Sequence, residues 1–215
     1  MQVVIAGGHG KIAMRLTRLL DERGDQVRSL IRNPDHTDEV TEAGATEAVV
    51  CDLEHDADER VASAVGKADA VVFAAGAGPN SGSERKETMD YGGAVKLMEA
   101  AEQNGVSRYV IVSSMGADPD HEGDETFDVY LRAKGRADAA LAESDLDHTI
   151  VRPGGLTDEP PTGKVFASGS GERGQIPRAD VAAVLASVLT TPSSIGKSFE
   201  LISGGTPIEE AVESL

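Results

Sequence analysis

Cysteine is almost absent from this 215-residue chain: Cys51 stands alone. That excludes an intrachain disulfide and a cysteine zinc cluster, and Cys51 reads as a packed strand residue. No apolar run reaches membrane-spanning length, and the N-terminus passes into a strand pattern with no basic region or cleavage site. Neither a membrane partner nor a signal peptide is therefore expected, and the expected location is cytoplasmic. Positive charge is also scarce, since 13 Arg and 7 Lys face 37 Asp and Glu for a net charge of −17. Such a field repels phosphate backbones, so nucleic acid is not expected as a direct partner. The acids crowd stretches such as "HDADER" and "DPDHEGDETFD", a pattern open to two readings, an ordinary acidic cytosolic protein or a salt-adapted one. His36, His55, His121 and His148 show no metal-ligand spacing, and no metal is expected.

What the chain does have is an alternation of short β-branched runs with longer helix-compatible segments. The runs are Gln2 to Ala6, Gln26 to Ile31, Glu47 to Cys51, Asp69 to Ala74, Arg108 to Ser114, His148 to Arg152 and Ser198 to Ser203. Apolar-periodic helices lie between them, clearest in "GGAVKLMEAAEQNG", "DVYLRAKGRADAALAESD" and "RADVAAVLASVLT". This rhythm predicts an α/β fold, a doubly wound, mostly parallel, Rossmann-like sheet of about seven strands with helices on both faces. One domain spanning residues 1–215 is expected. Two irregular stretches, Ala117 to Thr126 and Pro153 to Gln175, follow strands at their carboxyl ends, where such sheets place ligands. The second is the expected substrate-side region.

Gly7, Gly10 and Ala13 form G-x-x-G-x-x-A between the first strand and the first helix. The strand delivers the backbone to a helix N-terminus whose free N–H groups, Ile12 among them, favour an anionic pyrophosphate. Gly7 allows the turn, Gly10 lets a phosphate approach, and His9 is a candidate phosphate neighbour. At the end of the second strand the chain reads "LIRNPD", with Arg32 where a cofactor lacking the 2′-phosphate usually meets a carboxylate. Arg32 suits a 2′-phosphate and an adenine face, which points to NADP(H) in preference to NAD(H), with Lys11 as a second possible cation. Further on, Asp52 and Leu53 follow the third strand, and Ala74, Ala75 and Gly76 follow the fourth. Asp52 is placed to accept from the adenine amino group, and the small residues let a cofactor lie against the backbone.

These residues, with "VSSMGA", "YLRAK", "HTIVRPGGLTDEP", "IPRADVA" and "FELISGG", resemble the short-chain dehydrogenase/reductase superfamily, specifically its atypical NmrA-like, NAD(P)H-binding branch. The resemblance implies a bound nicotinamide cofactor and an active site built from a serine and a Tyr-x-x-x-Lys pair. Tyr130 and Lys134 supply that pair, and Ser114 or Ser113 the hydroxyl. The pairing also has its own chemistry, because residues four apart share a helix face. At an effective dielectric of ~20 and ~4 to 5 Å, an ammonium favours phenolate by on the order of 3 to 4 kcal/mol. Tyr130 would then exchange a proton with a substrate oxygen, and Lys134 would also hold the nicotinamide ribose. The chain departs from many relatives at "TMDYGG", where Asp90 stands in place of the asparagine of the tetrad.

After the sixth strand, Pro153, Gly154 and Gly155 are expected to curl past the nicotinamide, with Leu156 and Thr157 lining the pocket. Too few residues follow Pro153 for the sugar-nucleotide lobe of an extended epimerase. The leading expectation is an oxidoreductase acting on a small carbonyl, quinone or flavin-like molecule, as a monomer or homodimer. A non-catalytic NADP(H) sensor of the NmrA kind and an isomerase of a small sugar-like substrate stand as the alternatives.

Overall fold

The computed structural model describes residues 1–78, 81–169 and 173–215. Its central sheet begins with β1 (Gln2–Ala6), followed by helix α1 (Lys11–Glu22), β2 (Gln26–Ile31), α2 (Thr37–Glu42) and β3 (Glu47–Val50). The second half-fold runs α3 (Asp58–Val65), β4 (Ala70–Phe73), α4 (Ser83–Arg85), a π-helical segment Lys86–Gly93, α5 (Ala94–Gln103), β5 (Arg108–Val112), α6 (Thr126–Glu143) and β6 (Asp147–Pro153). The remainder comprises β7 (Gly155–Thr157), β8 (Lys164–Ser168), β9 (Gln175–Pro177), α7 (Arg178–Val188), β10 (Lys197–Ser203), β11 (Thr206–Pro207) and α8 (Ile208–Glu213).

The strand order is β11-β8-β10-β6-β5-β4-β1-β2-β3, so the chain builds outward from β1 on one side and then crosses to start again at β4. All seven expected strands are present and run parallel. The sheet nonetheless has nine strands, because β8 and β11 extend it by antiparallel pairing. These two lie in or beyond the stretches expected to be irregular, as do β7 and β9, which form a separate two-stranded sheet. A run of three to five residues broken by glycine carries too little periodicity to announce a strand. Residues 170–172 of the expected substrate-side region lie outside the described residues.

Alternation along each strand assigns the two faces. Val3, Ile5, Val72, Val110 and Val151 pack with α1, α7 and α8, whereas Val4, Ala6, Val71, Tyr109 and Ile150 pack with α3, α5 and α6. Burial on both sides is why these strands read as continuous apolar runs. At the amino ends of the strands, buried Arg108 donates to the carbonyls of Asp147 and Val188 and to the hydroxyls of Thr149 and Ser194. Burial pulls its guanidinium down to about 10, and the carbonyl cage keeps it satisfied at the closed edge of the sheet. The chemistry is thereby left to the opposite, carboxyl-end edge.

Candidate functional site

The topological switch point falls between β1 and β4, and the crevice there opens into a cavity of about 320 Å³. Its floor is the glycine loop. Gly7 sits at φ 75°, and a Cβ on it would come within 2.6 Å of the Ala75 Cα, so this position needs glycine both for its dihedral and for close contact. Gly10 is different: its φ of −65° suits any residue, and its N–H closes a tight turn onto the Gly7 carbonyl at 2.7 Å. The missing side chain there keeps the approach to α1 clear. That twelve-residue helix starts without a side-chain cap or an acid in its first turn, which leaves its N–H groups available to an anion.

Of the sequence-predicted cofactor residues, Gly7, His9, Gly10 and Arg32 line this cavity, as do Asp52, Leu53, Ala74, Ala75 and Gly76. Sequence reasoning passed over Glu54 and Arg85 on the same wall. Glu54 is 5% exposed and accepts from Arg85 Nε at 3.1 Å, again from Arg85 Nη2, and from Thr88 Oγ1 at 2.7 Å. The Arg85 hydrogen bond, against some burial, holds its carboxyl below the ordinary value. Arg32 is 59% exposed and stands 3.6 Å from Glu54, whose oxygens are already engaged. Asp52 turns its carboxylate into its own loop, accepting from the Glu54 N–H at 2.9 Å and meeting the His55 ring at 3.1 Å. These contacts outweigh burial and depress its carboxyl. His9 stacks on His36 with centroids 3.5 Å apart and meets Glu39 at 3.0 Å. Cys51 is buried on the same wall, where burial pushes its thiol up to about 11, the state of an inert packing residue.

Several predicted residues fall outside the cavity. Ile12 packs into the core beneath α1. Lys11 reaches across to Asp158 at 2.5 Å, and Arg178 joins the same carboxylate at 3.1 Å, so the glycine loop is tied to the segment after β7. Gly154 and Gly155 serve the contact of β6 and β7 with Gly174: a Cβ at Gly154 would run into the Gly174 carbonyl, which accepts from Gly155 N–H at 2.9 Å. The Pro153 carbonyl is taken by Met115 N–H at 2.9 Å. Leu156 is partly exposed and Thr157 half-buried.

The Tyr-x-x-x-Lys helix, α6, begins in a capping box between Glu125 and Asp128. Lys134 is buried and donates to the Val112 carbonyl at 3.0 Å, 3.5 Å from Asp90 Oδ1 and 5.2 Å from the Phe73 ring centre. Asp90 lies on the π-helical segment and accepts from the Ala77 N–H on the cavity wall at 3.2 Å. Tyr130 stacks beside Phe127 at 5.9 Å, and no hydrogen bond joins it to Lys134 among the described residues. Ser113 is buried and donates to Asp138 at 2.8 Å, a carboxylate that Arg152 also holds at 2.8 Å. Burial pushes the Asp138 carboxyl up despite both partners. The half-buried Ser114 donates its hydroxyl to the neighbouring Met115 carbonyl at 3.2 Å. Mid-helix Gly135 was a legible signal left unread: a Cβ there would strike the Asp118 backbone, so this glycine seats the loop after β5 against α6.

A parallel sheet with a glycine-floored crevice at its switch point defines a dinucleotide-binding α/β protein. The chain belongs to the NAD(P)H-binding family, whose model matches residues 7–192. It is 38% identical over 216 residues to the uncharacterized sugar epimerase YhfK of Bacillus subtilis, covering 100% of both chains. A Bacillus halodurans structure named for an NAD-dependent epimerase/dehydratase shares 41% identity with a TM-score of 0.93, again over 100% of both chains. ChuY of Escherichia coli O157:H7, named an anaerobillin reductase, shares 26% identity with a TM-score of 0.80, over 94% of this chain and 97% of that one. No described helix is long and apolar enough to cross a membrane.

Proposed function

We propose that the protein is an NADPH-dependent reductase, or the reverse dehydrogenase, for a small carbonyl, quinone or flavin-like molecule, working in the cytoplasm as a monomer or homodimer. The observation that carries this reading is Asp90, which bonds the cavity wall through Ala77 and pairs with Lys134 of the Tyr130 helix. It joins the crevice wall to the helix that carries the candidate acid. In this reading the glycine loop and the first turn of α1 hold the pyrophosphate, and Arg32 meets the 2′-phosphate. Glu54 favours that choice, because its oxygens are engaged by Arg85 and Thr88 and are not free to take a ribose diol. The bound nicotinamide would supply or accept hydride.

Tyr130 passes a proton to the substrate oxygen. Lys134 has three N–H donors, two of them directed to Val112 and Asp90, which leaves one for the nicotinamide ribose. The reductase name of ChuY, at 26% identity, supports a redox reading. The epimerase names of the Bacillus relatives favour an isomerase, but beyond β6 the described residues add, besides α7, β10 and α8 of the main fold, only β7, β9 and the β8–β11 edge, which offer no separate lobe for a sugar nucleotide. The test is NADPH and NADH consumption against a panel of carbonyls, quinones and flavins. Consumption of NADPH with at least one acceptor is expected; tight NADPH binding with no consumption across the panel would support the sensor instead.

A further inference from the structure

Lys86 opens the π-helical segment with only 6% of its surface exposed, and the cofactor crevice makes no use of it. Its ammonium donates to the Gly78 carbonyl at 2.6 Å and lies 5.4 Å from the centre of the Tyr130 ring. π-Helical turns are uncommon and recur at functional sites, where they re-aim side chains that an α-helix would direct elsewhere. Here one segment carries both Lys86 and Asp90 toward α6.

A buried ammonium needs compensation, and this corner offers one carboxylate for two lysines. Asp90 is committed to Lys134 and to the Ala77 N–H. Of the other charges facing the corner, Arg85 cancels Glu54 and Glu87 cancels Arg136, while Asp128 meets His121 at the start of α6 and keeps its negative charge when that ring is neutral. Within the buried cluster of Lys86, Lys134 and Asp90, one positive charge is left over. Desolvation pulls the Lys86 ammonium below the ordinary lysine value, with Asp90 opposing and Lys134 and Arg85 reinforcing.

We infer that Lys86 is a positioning residue for Tyr130, its uncompensated ammonium setting how readily the phenol gives up its proton. A cation beside the ring attracts the π-cloud, and it attracts the phenolate more strongly than the phenol. Lys134, whose charge Asp90 offsets, holds the geometry instead. The inference rests on the reading of Tyr130 as the proton donor, and its test is separable from that reading.

The chain has no tryptophan and three tyrosines, so tyrosinate absorbance can be followed without interference from indole. Tyr109 is fully buried and ionises well above the ordinary range. Subtracting the titration of each variant's Tyr130→Phe counterpart isolates Tyr130. Lys86→Met is expected to raise its midpoint by about one pH unit or more, and Lys86→Arg to bring it back. Asp90→Asn, which keeps an acceptor for Ala77, is expected to lower it. An unmoved midpoint in a Lys86→Met protein with unchanged circular dichroism overturns the inference; if that variant does not fold, an unmoved or raised midpoint in Asp90→Asn does so. Turnover is read separately. Midpoints that shift as expected while Tyr130→Phe remains fully active would keep the coupling and remove the proton-donor role, whereas unmoved midpoints with an inactive Tyr130→Phe would keep the acid and reject Lys86.

Discussion

The glycine crevice and the Tyr130 corner joined to its wall by Asp90 are built on opposite principles. At the glycine end, backbone N–H groups and small residues leave space, and Arg32 and the His9–His36 stack reach solvent beside the buried Glu54. At the Tyr130 corner, Lys86, Asp90 and Lys134 are all buried, Asp90 paired with Lys134 and Lys86 bonded to the Gly78 carbonyl. In the proposed function the open end selects its ligand through vacancy and an exposed cation. The closed end, in the same proposal, sets a proton affinity through charges removed from water, where each is worth far more.

The largest expected effect breaks the closed end alone: Tyr130→Phe should lower turnover by about 100-fold or more while NADPH affinity stays within a few-fold, as measured by steady-state kinetics and titration. Parallel loss, with binding falling alongside turnover, would merge the two. Gly7→Ala strikes the open end, since a methyl group meets the Ala75 backbone at a left-handed φ. A stability loss of about 2 kcal/mol or more in urea is expected, together with loss of NADPH binding. Arg32→Glu sharpens the contrast by removing only the exposed cation. NADPH should weaken by roughly tenfold to a hundredfold and NADH by no more than about threefold, and equal losses would place the 2′-phosphate elsewhere.

The smallest effect concerns Glu54, whose carboxyl Arg85 holds below its ordinary value of 4.5. A depressed carboxyl binds its proton less readily in the folded chain than in the unfolded one, so its contribution is full above that ordinary value and fades as pH falls through the lower folded value. Glu54→Gln should therefore cost about 1 kcal/mol at neutral pH, a figure already reduced for the exposure of Arg85, and nothing in strong acid. Chemical denaturation at the two pH values checks it.

Legibility followed the same division. The seven parallel strands were readable because burial on both faces demands continuous apolar runs, and the glycine loop because a left-handed φ and a close backbone contact demand glycine at Gly7. The short strands β7, β8, β9 and β11 were not, since their pairing partners and not their own periodicity define them. Arg32 announced itself by standing at a strand end, whereas Glu54 and Arg85, 31 residues apart, meet only through packing. The same holds for Ser113, whose hydroxyl belongs to Asp138 on another element.

By itself, then, the amino-acid sequence determined the class of fold, the site of the dinucleotide crevice and the presence of a Tyr-x-x-x-Lys helix, because each depends on a local pattern: a continuous apolar run, a glycine turn, a four-residue step. Only the tertiary structure decided what those residues face. Lys134 is met by Asp90, Asp158 by Lys11, and the Tyr130 ring by Lys86. Electrostatic energies depend on distance and burial through space, which chain separation does not encode.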